Sequence, residues 1–155
     1  MIANRGSVGC MKQMVDTYNQ AGGNLISVLE VPEQHVSPYG VVAPCATRSA
    51  TPEVRGLVEK VKLENAPSNL FVFGYILLSK VMNLLEKQTA GAGEEIQLTD
   101  AMAQMIGLPF HAVRFAGRRF DCGSKLSFVK ATLALALERD DMADEVRAMA
   151  KRYLA

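Results

Sequence analysis

Residues 110 to 115, Phe-His-Ala-Val-Arg-Phe, alternate apolar with polar side chains, the period of a half-buried strand. Beyond them the period changes. Leu126, Val129, Leu133 and Leu137 recur at helical spacing, which predicts a helix beginning near Ser124 or Lys125. Earlier in the chain, Met11, Met14, Val15 and Tyr18 fall on one face of a helix over 10–21 that Gly22-Gly23 ends. Leu25 to Val31 reads as a buried strand closed by Pro32. Gly40-Val41-Val42 is a short extended piece broken by Pro44. In Val54 to Lys60, strand alternation puts Val54, Gly56, Val58 and Lys60 on one face and Arg55, Leu57 and Glu59 on the other.

The run Asn69 to Leu78 is strongly apolar with Gly74 in its middle, the mark of a bulge or of a close backbone approach. Ser79 is read as the cap of a helix burying Met82, Leu84 and Leu85, and Thr99 as the cap of a helix over 100–106. Met102, Met105 and Ile106 then face inward, as gap-filling core rather than a cofactor box. A final amphipathic helix runs from Met142 to Leu154, with basic residues near its C-terminus. Residues 1–9 read as a flexible lead-in, and residues 32–39, 46–52, 63–68 and 90–95 as loops. About five extended segments thus mix with five helices in no strict alternation, which predicts an α/β domain with a mixed sheet.

Candidate chemistry concentrates at Phe120-Asp121-Cys122-Gly123-Ser124-Lys125, between the last strand and the helix after it. A carboxylate at the carboxyl end of a strand faces the crevice where open α/β sheets bind ligands, and a helix N-terminus attracts anions. Asp121 is therefore a candidate ligand for a divalent metal whose other ligands are phosphate oxygens, with Lys125 as a nearby point charge. In the alternative reading, Asp121 only closes a turn and Ser124 only caps the helix.

The 155 residues, 49% apolar and 21% charged, have the size and composition of one soluble globular domain. A net charge of +1 argues against a nucleic-acid binder that relies on a broad basic surface. No run nears the roughly 18 uninterrupted apolar residues of a membrane span, and the N-terminus lacks the apolar block of a signal peptide. The expected location is cytoplasmic. Cys10, Cys45 and Cys122 are odd in number and far apart, which suggests neither a disulfide framework nor a zinc site. Cys122, beside Asp121, is read as a packing residue rather than a nucleophile. His35 and His111 are the only histidines, too few for a multi-histidine metal site.

Six separated segments coincide with one family. Gly22-Gly23-Asn24, Tyr39 to Val42, Gly56 to Lys60, Ala66 to Asn69, residues 93–101 (G-E-E-I-Q-L-T-D-A) and Phe120 to Lys125 resemble, in that order, bacterial UTP-glucose-1-phosphate uridylyltransferases among the sugar nucleotidyltransferases. The likeness runs from about residue 10 to the end and is to the carboxyl-terminal portion of that enzyme. The glycine-rich strand-loop that cradles the nucleotide triphosphate in the family, and its first catalytic aspartate, have no counterpart here.

The resemblance implies a Rossmann-like nucleotidyltransferase fold, carboxyl-terminal part only, in which residues 1–155 form the sugar-phosphate and metal-binding portion. It implies that Gly40 is the glycine over which the sugar ring lies, and that Glu59 accepts hydrogen bonds from sugar hydroxyls. Lys60 is the ammonium that contacts the sugar-linked phosphate, Asp121 the second Mg2+ ligand, and Lys125 part of the phosphate environment. Lys60 and Asp121 are thereby the catalytic pair. Neighbouring strand residues point apart, so the chain must bend at Glu59-Lys60 for both to serve one ligand.

The implied partners are UTP, glucose 1-phosphate and UDP-glucose, with no nucleic acid and no membrane, in a homo-oligomer. A competing reading is a non-catalytic sugar-nucleotide binding or subunit-assembly module. With the upstream half of the family's domain missing, the strand at Leu25 to Val31 is expected to lack neighbours and to leave a long apolar edge. Three positions depart from the family pattern: Tyr75 follows Gly74 with no arginine between them, Val61 replaces a proline, and Ser124 replaces a common aspartate.

Overall fold

The computed structural model describes all residues except 1, 4–7, 38, 45–48, 61, 92–93 and 155; Cys45 and Val61 therefore lie outside the described residues. The chain divides into two compact units, one of residues 11–115 and the other of residues 1–10 with 116–155.

The larger unit is built on a five-stranded mixed sheet. Its strands are β2 (Asn24–Glu30), β3 (Gly40–Pro44), β4 (Val54–Glu59), β5 (Leu70–Ile76) and β6 (Phe110–Arg114), in the spatial order β4-β3-β5-β2-β6. β2 pairs parallel with β6, and the other pairings are antiparallel. The expected α/β class with a mixed sheet is the observed one. β2 is not an edge, however. It has a neighbour on each side, so the bare apolar strand foreseen at Leu25 to Val31 does not exist. The outer side of β6 is also engaged, because the amides of Ala112 and Arg114 donate to the carbonyls of Pro52 (2.8 Å) and Ala50 (3.1 Å).

Alternation along these strands supplies two apolar faces. Ile26, Val28, Val42, Leu57, Leu70, Phe110 and Ala112 form the larger core, covered by α2 (Lys80–Lys87) and α3 (Leu98–Ala103) through Val81, Ala101 and Met102, and by Met105 just beyond α3. Each such large side chain contributes about 1.5–3 kcal/mol by leaving water. The opposite face carries Val36, Val41 and Phe71, with Tyr39, Phe71, Phe73 and Phe115 in successive ring contact at 4.7–5.7 Å. Met102 and Met105 are core, as their spacing predicts.

Two bulges alter the faces read from simple alternation. In the β3–β4 pairing, Ala43 opposes Gly56 and Pro44 opposes Val54, so Arg55 is an extra residue. Val54 consequently joins Leu57 in the larger core instead of pointing away from it. In the β2–β5 pairing, Ser27 opposes Gly74 and Val28 opposes Val72, which leaves Phe73 as the extra residue. A β-carbon on Gly74 would stand 2.5 Å from the Ser27 hydroxyl oxygen, so the glycine marks both a bulge and a close approach.

Helix α1 (Cys10–Ala21) ends as expected at Gly22, whose φ of +63° is left-handed and whose amide donates to Tyr18 O at 2.8 Å. Gly23 is also left-handed, and a β-carbon there would overlap the Pro109 carbonyl oxygen. That close approach lets Asn24, fully buried, accept from the Leu78 amide at 3.0 Å. Of the apolar face foreseen on α1, only Met14 is buried, while Met11, Val15 and Tyr18 are exposed. On α2 it is Val81 that is buried and Met82 that is exposed. Ser79 makes no side-chain cap bond.

In the smaller unit, β1 (Ile2–Ala3) pairs antiparallel with β7 (Arg118–Arg119), so part of the stretch read as a flexible lead-in is a strand. Helices α4 (Lys125–Leu137) and α5 (Ala143–Leu154) pack together. The helix predicted from the spacing of Leu126, Val129, Leu133 and Leu137 is present as α4, with Leu126, Val129 and Leu133 exposed and Ala131 buried. Among the described residues no helix is long and apolar enough to cross a membrane.

Candidate functional site

In the larger unit, pairing register brings two of the candidate residues face to face. Gly40 begins β3 and Glu59 ends β4, and the two are direct Cα partners. The Glu59 carboxylate folds back over this glycine: a β-carbon at residue 40 would meet Oε2 at 2.6 Å. Any side chain there would displace the carboxylate, so the local need for glycine is room for Glu59 itself.

The same oxygen accepts a hydrogen bond from the Thr99 hydroxyl at 2.7 Å, the length of a charge-assisted bond. Thr99 is not the cap of its helix, as its sequence position suggests. It lies inside α3 and is 8% exposed, with its hydroxyl turned to β4. Sequence reasoning missed this residue as part of the site. The signal available was its place in the G-E-E-I-Q-L-T-D-A segment.

The strand stops at Glu59. Lys60 has φ +48°, one of two non-glycine residues with positive φ among those described, and its amide donates to Tyr39 O at 3.2 Å. This left-handed residue turns the chain at the Glu59-Lys60 pair, and the Lys60 side chain is exposed to solvent. Tyr75 on β5 feels the same carboxylate. Partial burial first, and the Glu59 charge second, raise its phenol above the usual tyrosine value of about 10.

The Ala66-Pro67-Ser68-Asn69 segment is tied to the sheet by side-chain hydrogen bonds. Ser68 Oγ donates to Val42 O at 2.7 Å and accepts from the Leu70 amide at 3.1 Å, while Asn69 Nδ2 donates to Val31 O at 3.2 Å.

Asp121 and Lys125 belong to the smaller unit. Asp121 Oδ1 accepts from the Gly123 amide at 2.9 Å, an Asx-type turn, and its Oδ2 lies 3.9 Å from the Arg119 guanidinium. Its carboxylate remains half exposed. Ser124 caps α4, its Oγ accepting from the Ser127 amide at 3.2 Å, and Lys125 is the first helical residue. Asp121 thus does close a turn and Ser124 does cap a helix, and both leave the Asp121 and Lys125 side chains in solvent. Cys122 is half buried and outside any disulfide, with Sγ 3.8 Å from Phe120 O. Among the described residues no three His, Cys, Asp or Glu side chains cluster as a metal cage.

Residues 8–138 match the nucleotidyl transferase family, and the chain belongs to it. It is 48% identical over 120 residues to a UTP–glucose-1-phosphate uridylyltransferase of Komagataeibacter xylinus, a match covering 76% of this chain and 42% of that one. It is also similar to a crystal structure of UDP-glucose pyrophosphorylase complexed with UDP-glucose, with 32% identity and a TM-score of 0.82 over 89% of this chain and 53% of that one. A UTP-bound enzyme of the same name-class from Acinetobacter baumannii matches with 34% identity and a TM-score of 0.83, over 97% of this chain and 52% of that one. The chain spans about half the length of the curated relatives it matches.

Proposed function

We propose that residues 1–155 are the carboxyl-terminal, sugar-phosphate and metal-binding portion of a UTP–glucose-1-phosphate uridylyltransferase. The observation that carries this reading is the Glu59 carboxylate, held over Gly40 by Thr99 at a strand end where the backbone turns left-handed at Lys60. A fixed, partly exposed carboxylate suits sugar hydroxyls, and a solvent-facing ammonium on the next residue suits the phosphate they are attached to. The relatives' activity, and the UDP-glucose and UTP bound in the similar structures, support the same substrates for this chain.

In the reaction, a phosphate oxygen of glucose 1-phosphate attacks the α-phosphorus of UTP in line. The bond from that phosphorus to the bridging oxygen breaks, giving UDP-glucose and pyrophosphate. Alignment and charge compensation are the protein's main contributions. Glu59 orients the sugar, Lys60 offsets phosphate charge, and Lys125 adds positive charge to the phosphate environment. Asp121 offers one half-exposed carboxylate in place of a protein cage, a donor set that fits Mg2+ with water and phosphate oxygens as its other ligands. When bound, the ion would neutralise developing phosphate charge.

The same reading puts the chain in the cytoplasm, where nucleoside triphosphates are made and thiols such as Cys10 and Cys122 stay reduced. It also makes the chain a homo-oligomer, through exposed apolar side chains such as Leu126, Phe128 and Val129 on α4. Calorimetric titration of the purified chain with glucose 1-phosphate and UDP-glucose tests the site. Saturable binding that Glu59→Gln weakens at least tenfold is expected, whereas binding indifferent to both Glu59→Gln and Lys60→Ala overturns the assignment. Release of pyrophosphate from UTP and glucose 1-phosphate by the chain alone separates catalysis from mere binding.

A further inference from the structure

Glu59 is constrained at one oxygen only. Oε2 is backed by the bare α-carbon of Gly40 and takes the Thr99 hydroxyl at 2.7 Å, while Oε1 takes no hydrogen bond among the described residues. An ionised carboxylate has about four acceptor positions, so a substantial part of its capacity remains for a ligand. Thr99 is well placed to hold this arrangement. It is 8% exposed, and the residues after it on α3, Ala101 and Met102, are rooted in the core at 0% and 1% exposure.

A glutamate at a strand end otherwise has three side-chain torsions to distribute over. From these observations we infer that Thr99 is a positioning residue, locking Glu59 so that its free oxygen reads one particular hydroxyl of the sugar ring and discriminates against rings that lack it. This inference rests on the reading of Glu59 as the sugar-binding carboxylate.

The physical consequence is selectivity more than bulk affinity. A site built to hydrogen-bond a hydroxyl rejects the ring without it, because a buried or fixed polar group is left unpaired. Free the carboxylate to rotate, and it follows water or a neighbouring hydroxyl instead. Valine replaces threonine with nearly the same volume and removes only the donor, and serine keeps the donor without the methyl group.

The test is calorimetric titration of the 155-residue chain and its variants with glucose 1-phosphate and with its 2-deoxy, 3-deoxy and 4-deoxy analogues. The unsubstituted chain should bind one deoxy analogue about tenfold or more weaker than glucose 1-phosphate, the worth of a hydrogen bond to a charged group. In Thr99→Val and Thr99→Ala, glucose 1-phosphate should weaken to the level of that analogue, so that the preference collapses. Thr99→Ser should restore the preference to within about threefold. A preference that survives in both the Val and the Ala variants overturns the inference alone, as does a Thr99→Ser variant that loses it equally. If the unsubstituted chain binds none of the four compounds, the reading of Glu59 fails and the inference with it. Two dehydroxylated variants are included so that a folding defect in one does not decide the outcome.

Discussion

Gly40 and Glu59 oppose each other at the open end of the β3–β4 pair, and Oε2 of Glu59 occupies the space where a side chain on residue 40 would begin, 2.6 Å from an ideal β-carbon. The glycine, the carboxylate and the Thr99 hydroxyl therefore form one steric unit. Gly40→Ala should push the carboxylate off Thr99. Overpacking of this kind costs about 1–3 kcal/mol, and glucose 1-phosphate binding should fall at least tenfold. Urea unfolding and calorimetry on the same preparation measure both, and an alanine variant with unchanged binding would show that the carboxylate can relocate without consequence.

The Ser27–Gly74 contact predicts a compensating pair. Gly74→Ala alone places a methyl group 2.5 Å from the Ser27 hydroxyl oxygen and should destabilise by about 1–3 kcal/mol. Ser27→Ala alone should be neutral or slightly stabilising, because that buried hydroxyl has no hydrogen-bond partner. With the hydroxyl gone, the next neighbours of the new methyl stand 3.8 Å away, in ordinary contact. The double variant should accordingly recover most of the loss, and a double-mutant cycle with no coupling would contradict the geometry.

Gly23→Ala has no such remedy. The residue is left-handed at φ +73° and a β-carbon would overlap backbone at Pro109, so strain and clash add. A loss of more than about 2 kcal/mol is expected in denaturant unfolding.

Tyr75 sets an alkaline limit. Its phenol is held above the ordinary value by burial and by Glu59, so the fold retains a proton that the unfolded chain releases. The contribution is complete below the usual tyrosine range near pH 10 and disappears as pH rises through the folded value. Thermal unfolding of the native chain should therefore fall in temperature more steeply across that alkaline window than that of Tyr75→Phe. Ultraviolet titration should also show one tyrosine ionising late, and equal slopes for the two proteins would show that neither burial nor Glu59 perturbs the phenol.

Ser124→Ala removes the cap of α4 and should cost roughly 1 kcal/mol.

Much of this architecture is legible in local pattern. The strands at Leu25 to Val31 and Phe110 to Phe115, the helix over 10–21, its glycine terminus and the Ser124 cap all follow from period and turn chemistry, which are properties of neighbouring residues. Where reading fails, the decisive partner is distant in sequence. Arg55 and Phe73 are bulged by the strands they pair with, and the first bulge reverses the side to which Val54 points. The neighbours of β2 come from residues 70–76 and 110–114, which is why an unpaired edge was expected where none exists. Amphipathic stripes on α1 and α4 were legible as stripes, yet Met11, Leu126 and Val129 are exposed, because periodicity gives a face and not its cover. Thr99 escaped for the same reason: its partner Glu59 lies 40 residues away, and a threonine before a helical run reads as a cap.

The left-handed backbone at Lys60 sets two selective pressures against each other. A lysine there carries an intrinsic conformational penalty of about 1–2 kcal/mol that glycine would not, while only the lysine extends an ammonium into solvent beside Glu59. A library of residue-60 variants sorted for heat tolerance should drift toward glycine or asparagine. The same library sorted for capture of sugar phosphate should return lysine, and the distance between those two outcomes would measure how much folding strength the chain forgoes at that corner.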